Sequence, residues 1–199
     1  KDIVVLATDS QASFGNIVGD DDFNKIAKIS DNIALTYAGS VSDVQILSKF
    51  MRNHARHYEI ERERPISLKA AINLLSNILH STKYTPFMIQ FIVGGYEQEP
   101  KIYNLNFDGS VMEKKKYDCT GSGFELALAV LDAEYKPDMG NDELVRLAIT
   151  AIAAAKKRDV VTGGKHTNVM IIDSKGARTL SEKEIEKIVA ARQTTKKTL

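Results

Sequence analysis

The chain has 199 residues with 27 Lys and Arg against 26 Asp and Glu, a formal net charge of +1, so it lacks the overall basic field that holds nucleic acid without regard to sequence. Hydrophobic residues at 43% and charged residues at 27% are the balance of a chain that folds, and the length asks for no more than one domain, taken as 1–199. Cys119 is the only cysteine, which excludes a disulfide framework and a multi-cysteine zinc site and suits a reducing cytoplasm. No apolar stretch approaches the roughly 18 residues of a membrane span, so a soluble, cytoplasmic protein is expected.

In chain order, residues 3–7 are β-branched and apolar, 25–29 alternate, and 33–38 are apolar again, which predicts three short strands. Residues 1–6 lack the core and cleavage site of a secretory signal, and the chain reads as beginning in mid-structure. From Val41 the period changes: Val44, Leu47, Met51, Ala55 and Tyr58 recur at helical spacing until the stretch ending at Pro65 closes the helix. A second helix follows, capped by Ser67, with Leu68, Ala71, Ile72, Leu75, Ile78 and Leu79 as a stripe facing a core. Residues 87–93 form the apolar run of a strand buried on both faces, residues 101–107 alternate like a paired neighbour, and Asp108-Gly109 makes the turn.

Two further helices are predicted, one through Leu126, Val130 and Leu131, the other through Leu144, Leu147, Ala148, Ala151 and Ala155. A last strand over 168–172 precedes a charged helix over 181–191, and the Lys/Thr-rich end, 192–199, is expected to be a disordered tail. Strands, helix pair, strands, helix pair, strand and helix do not alternate as a doubly wound parallel sheet does. Two stacked sheets between helical layers fit that order better.

Most chemistry has no anchor here. His54, His57, His80 and His166 belong to no His-Glu-x-x-His or Cys/His cluster, so neither metal nor cofactor is expected. No Gly-x-Ser-x-Gly elbow is present, and Gly121-Ser122-Gly123 is too short to specify a nucleotide site. Asp20-Asp21-Asp22 and Lys114-Lys115-Lys116 read as solvated turns, and Cys119 as a small core residue rather than a nucleophile.

Four segments together, residues 4–13 (VVLATDSQAS), 36–40 (TYAGS), 120–123 (TGSG) and 158–164 (RDVVTGG), resemble proteasome β-subunits of the archaeal kind, and Gly94-Gly95-Tyr96 after an apolar strand adds to the likeness. The resemblance implies an α+β fold, the four-layer αββα sandwich of N-terminal-nucleophile hydrolases with two central antiparallel sheets. Its chemistry is hydrolysis of peptide bonds in unfolded proteins by an N-terminal threonine, whose α-amine, titrating near about 7.7–8.0 when unperturbed, serves as the base. By the matching positions Asp9 and Lys25 form a charged pair beside the nucleophile, and Ser122, Asp159 and Thr162 surround its amine, with Thr162 standing where serine is commoner. Gly39 matches the oxyanion-hole donor. Ser13 and Gly39 match the groups that bind an extended substrate backbone, and Ala12, Phe23, Ala27, Tyr37 and Val41 match the pocket for the side chain before the cut. The partners implied are other β-subunits in the same and an opposing ring, α-subunit rings, unfolded polypeptide and an ATPase activator.

In the family pattern the nucleophile lies roughly eight residues before Lys1, on a first strand that the sequence does not contain, and its chemistry needs a free terminal amine. Two readings stand side by side. Either a processed threonine precedes Lys1 and the subunit is a threonine-type endopeptidase, or the chain is a non-catalytic structural β-subunit. An interaction module built on the same sandwich is a third.

Overall fold

The structure is a computed structural model describing residues 2–195, with side chains described through residue 190. Its first half comprises β1 (Val4–Asp9), β2 (Ala12–Phe14), β3 (Ile17–Asp20), β4 (Ile26–Ser30), β5 (Ile33–Gly39), α1 (Val41–Arg62) and α2 (Leu68–Ser81). Then follow β6 (Ile89–Tyr96), β7 (Pro100–Leu105), β8 (Val111–Lys114), α3 (Phe124–Glu134), α4 (Asn141–Lys156), β9 (Thr167–Asp173), β10 (Gly176–Thr179) and α5 (Glu182–Thr195). The strands make a five-stranded sheet in the order β4-β5-β6-β7-β8, a three-stranded sheet β1-β9-β10 and a β2-β3 hairpin, antiparallel throughout.

Alternation along each central strand divides its side chains between two cores, because successive residues point to opposite faces. On β5, Ala34 faces the other sheet while Ile33 and Leu35 face α1 and α2; on β6, Ile92 faces the sheet while Phe91 and Val93 face the helices. On the smaller sheet, Val4, Leu6, Met170 and Ile172 join Ala34 and Ile92 between the sheets, whereas Val169 and Ile171 pack with Val145 of α4. Helices, sheet, sheet, helices: the fold is the α+β four-layer sandwich expected.

Local signals explain where elements begin and end. Ser40 caps α1 by accepting from the Asp43 N–H, and Glu63 closes it in the left-handed region at φ 52°. Ser67 Oγ accepts from the Ala70 N–H at 3.1 Å at the start of α2. The strand expected over 87–93 starts at Ile89 and runs on to Tyr96, leaving Met88 70% exposed.

The β2-β3 hairpin, β8 and β10 have no clear apolar alternation to announce them, since β3 is exposed along its whole length and β8 and β10 are short edge strands. The charge runs are only partly turns. Asp20 ends β3 and Lys114 ends β8, where it pairs with Asp118 at 3.3 Å, while Asp21 pairs with Lys165 at 3.0 Å. The last helix runs to Thr195, into the segment expected as a tail over 192–199, and residues 196–199 lie outside the described residues.

Phe91 is 0% exposed at the centre of β6. Phe91→Ala is expected to destabilise the subunit by about 3–5 kcal/mol, from lost apolar transfer and the cavity left behind. Denaturant titration reads this directly, and a loss below about 1 kcal/mol would contradict the placement.

Candidate active site

β1 leaves the sheet sandwich at Asp9, and Lys25 stands immediately before β4. These two strand ends meet: Lys25 Nζ donates to Asp9 Oδ1 at 2.7 Å, with side-chain exposures of 20% and 9%. The other oxygen, Oδ2, accepts the backbone N–H of Gly163 at 2.9 Å and that of Gln11 at 3.3 Å. One carboxylate thereby ties together the end of β1, the start of β4 and the loop after α4.

The Lys25 ammonium borders a cleft of about 370 Å³. Gly39 lies on its wall at the end of β5, with φ 126°, and a Cβ there would sit 2.1 Å from the Met88 carbonyl oxygen, so only glycine fits. α1 starts two residues later, and the positive end of its dipole favours negative charge nearby. Farther round the cleft, Asp159 Oδ2 accepts from Ser122 Oγ and from Thr162 Oγ1, the latter at 2.5 Å, and the two hydroxyl oxygens are 3.4 Å apart. Burial works to raise the Asp159 pKa, but the hydrogen bonds from Ser122, Thr162 and the Val161 and Thr162 backbone outweigh it and hold the carboxyl below its ordinary value.

The cleft thus gathers Asp9, Lys25, Gly39, Ser122 and Thr162, and Asp159 joins through its hydrogen bonds. Ala12, Ser13, Phe23, Tyr37 and Val41 also line it. Ala27 does not. It is 7% exposed and packed with Ile29 in the core between the large sheet and α1-α2, because it takes the inward side of β4. Phe23 and Tyr37 meet edge to face at 6.4 Å, and Tyr37 Oη donates to the Asn24 carbonyl. Burial pushes the Tyr37 phenol up to about 12 against a weaker opposing effect of Arg52. Gln11 was not singled out by its sequence, although its side chain is buried beside Ser13. It ends the polar run Thr8-Asp9-Ser10-Gln11, in which nothing sets it apart.

A family profile described as "Proteasome subunit" matches residues 1–172. The chain belongs to the proteasome subunit family. It is similar to the proteasome subunit beta of Methanocaldococcus vulcanius, 42% identical over 94% of this chain and 85% of that one. It is also similar to proteasome subunit beta 1 of Pyrococcus furiosus, 45% identical over 89% of this chain and 90% of the relative, and to proteasome subunit beta 2 of Thermococcus onnurineus, 44% identical over 88% of each. These archaeal β-type relatives make it a β-type member of the proteasome family, a family of proteases, and membership implies assembly with other proteasome subunits. Among the described residues no helix is long and apolar enough to cross a membrane, and no group of three or more His, Cys, Asp or Glu is placed to hold a metal.

Cys119 also lines the proteasome-type cleft. Burial, reinforced by the charges of Asp118 and Asp132, pushes its thiol up to about 12. The nucleophilic thiolate is therefore scarce at neutral pH and grows only as pH climbs toward that value. Alkylation by iodoacetamide, followed by mass spectrometry, is expected to be negligible at pH 7.5 and to rise with each unit up to pH 10. Rapid modification at pH 7.5 would mark Cys119 as activated.

Proposed function

We propose that this chain is a catalytic β-subunit of the 20S core particle, a threonine-type endopeptidase that cuts unfolded polypeptides delivered by ATP-dependent activators in the cytoplasm. Its neighbours are then other β-subunits in the same and the opposing ring, together with rings of α-subunits. The observation that carries the reading is the Lys25 ammonium, held by Asp9 at 2.7 Å and bordering one cleft with Gly39, Ser122 and Thr162. A structural subunit has no chemical need for a partly buried cation there.

The nucleophile is the hydroxyl of an N-terminal threonine on a strand that precedes Lys1. Three features support a strand at that place. Among the described residues β1 pairs on one side only, with β9, and a groove of about 150 Å³ runs beside residues 3–7 toward α3 and α4. Thr8 is 7% exposed, and its Oγ1, at the end of β1, has no hydrogen-bond partner among the described residues, a cost that an added strand end would relieve.

In the reaction, the threonine α-amine takes the hydroxyl proton and the oxygen attacks the scissile carbonyl carbon. Lys25 lowers the energy of the forming alkoxide by its positive charge, and Asp9 keeps that charge at the cleft. The oxyanion develops toward the Gly39 N–H; removal of such a donor costs about 2.7–4 kcal/mol of transition-state stabilisation. The amine returns its proton to the leaving nitrogen, the C–N bond breaks, and water hydrolyses the threonine ester by the same route in reverse. Ser122, Asp159 and Thr162 hold the amine and carry its proton, with Asp159 kept ionised by its hydrogen bonds. Ser13 and Gly39 bind the substrate backbone as an added strand. Ala12, Phe23, Tyr37 and Val41 form the side-chain pocket.

Intact-mass measurement of the native subunit is expected to find threonine at the N-terminus. Lys25→Met in the assembled particle is expected to lower kcat at least about 100-fold, the range of a lost electrostatic stabiliser, while rings still form. A blocked terminus, or undiminished turnover in Lys25→Met, would leave the non-catalytic, structural reading. Tyr37 narrows the pocket, so a panel of peptides should be cut fastest after small or flexible apolar residues, and Tyr37→Ala should shift the preference toward aromatic ones. Fastest cleavage by the parent after Phe or Tyr would contradict this pocket.

A further inference from the structure

Asp159 and Thr162 ride on the loop over 158–164, whose crest is exposed: Val160 is 83% and Val161 38% solvent-accessible. Packing does not hold such a crest in place. One end of the loop is fixed by its backbone, since the Gly163 N–H donates to Asp9 Oδ2 at 2.9 Å and the Gly163 carbonyl accepts from the Ser10 N–H at 3.1 Å. At Val160 and Val161, between the two hydrogen-bonding residues of the site, the bonds that cross to the first segment of the chain come from Gln11. Gln11 is 8% exposed, and its Nε2 lies 3.0 Å from the Val160 oxygen, 3.2 Å from the Val161 oxygen and 2.9 Å from Ser13 Oγ. Carbonyl oxygens only accept, so the NH₂ end of the amide faces the loop, its two N–H groups divided among three acceptors. The opposite end fits as closely, because a Cβ on Gly163 would stand 2.1 Å from Gln11 Oε1.

We infer that Gln11 is a positioning residue: it sets the height of the 158–164 loop, and with it Asp159 and Thr162, against the cleft, and links that height to Ser13 on the substrate-binding side. The role rests on the catalytic reading above. Gln11 also borders the cleft, but its hydrogen bonds run to Ser13 and the loop, and it acts through the loop. Thr162 rides on the same loop as Asp159 and moves with it, whereas Ser122 stands on another segment, so a displaced loop changes the angle and length of the Ser122–Asp159 hydrogen bond and carries both loop side chains away from their places at the cleft.

The test uses the assembled particle with its processed terminus. Gln11→Glu keeps the shape, removes both N–H donors and sets a carboxylate against two carbonyl oxygens; Gln11→Met keeps the length and removes the polar end. In both, kcat for a fluorogenic peptide is expected to fall about 10- to 100-fold, the scale of a small misplacement of catalytic groups, while KM moves less than about threefold. Combined with Asp159→Asn, either change is expected to add less than it costs in the parent, because part of its effect runs through that carboxylate and only the part through Thr162 remains.

An unchanged kcat overturns the inference, as does an equal further loss in the Asp159→Asn background, which marks a general structural effect. Failure of both variants to assemble, read by size exclusion, also overturns it, since Gln11 is then a folding residue. A parent particle without threonine-dependent turnover overturns the catalytic reading and this role with it. An active parent indifferent to Gln11 removes only the role.

Discussion

The site depends on Asp9. It sits where β1 stops, is 7% exposed, and faces the Lys25 ammonium with one oxygen and two backbone N–H groups with the other. A carboxylate so far out of water is tolerable because charge and hydrogen bonds replace its hydration, and removing one partner of such a pair typically costs about 3–5 kcal/mol. The segments it joins come from three different parts of the sandwich: β1 from the small sheet, β4 from the large one, and the loop leaving α4. The cleft exists because two sheets, each covered by helices on its outer face, end at this corner.

Each central strand serves two layers, so the site inherits its rigidity from cores on both sides. Ala34 and Ile92 lock the sheets to each other, while Phe91, Leu35 and Leu75 lock the large sheet to its helices. Gly39 is the last residue of one of these strands and leads directly into the capped start of α1. Its peptide group is held at both ends by regular structure, which fixes its orientation at the cleft.

The layered fold was legible because its signals are strong and local. Helical spacing in 41–62, the Ser67 cap and the apolar run ending in Gly94-Gly95 each correspond to a buried face of the finished protein. The β2-β3 hairpin was not, because Phe14, Ile17 and Val18 are exposed and so carry no burial pattern. Asp9, Lys25, Gly39, Ser122, Asp159 and Thr162 were legible only as parts of a family pattern; composition alone reads them as turn, cap and surface residues. Ala27 shows the limit of carrying a pattern across by position, since strand alternation sends its methyl into the core. Gln11 shows the converse limit, because the two carbonyls its side chain meets, Val160 and Val161, lie 149 and 150 residues away in sequence and only folding brings them together.

The missing side chain at position 39 also restricts how this protein can diversify. The Met88 carbonyl already occupies the volume where a methyl group would go, so natural variation and redesign alike must leave that corner of the cleft untouched. Tyr37, Val41 and Phe23 line the same cleft with side chains whose size can change, so its shape can be altered there while the glycine corner stays fixed.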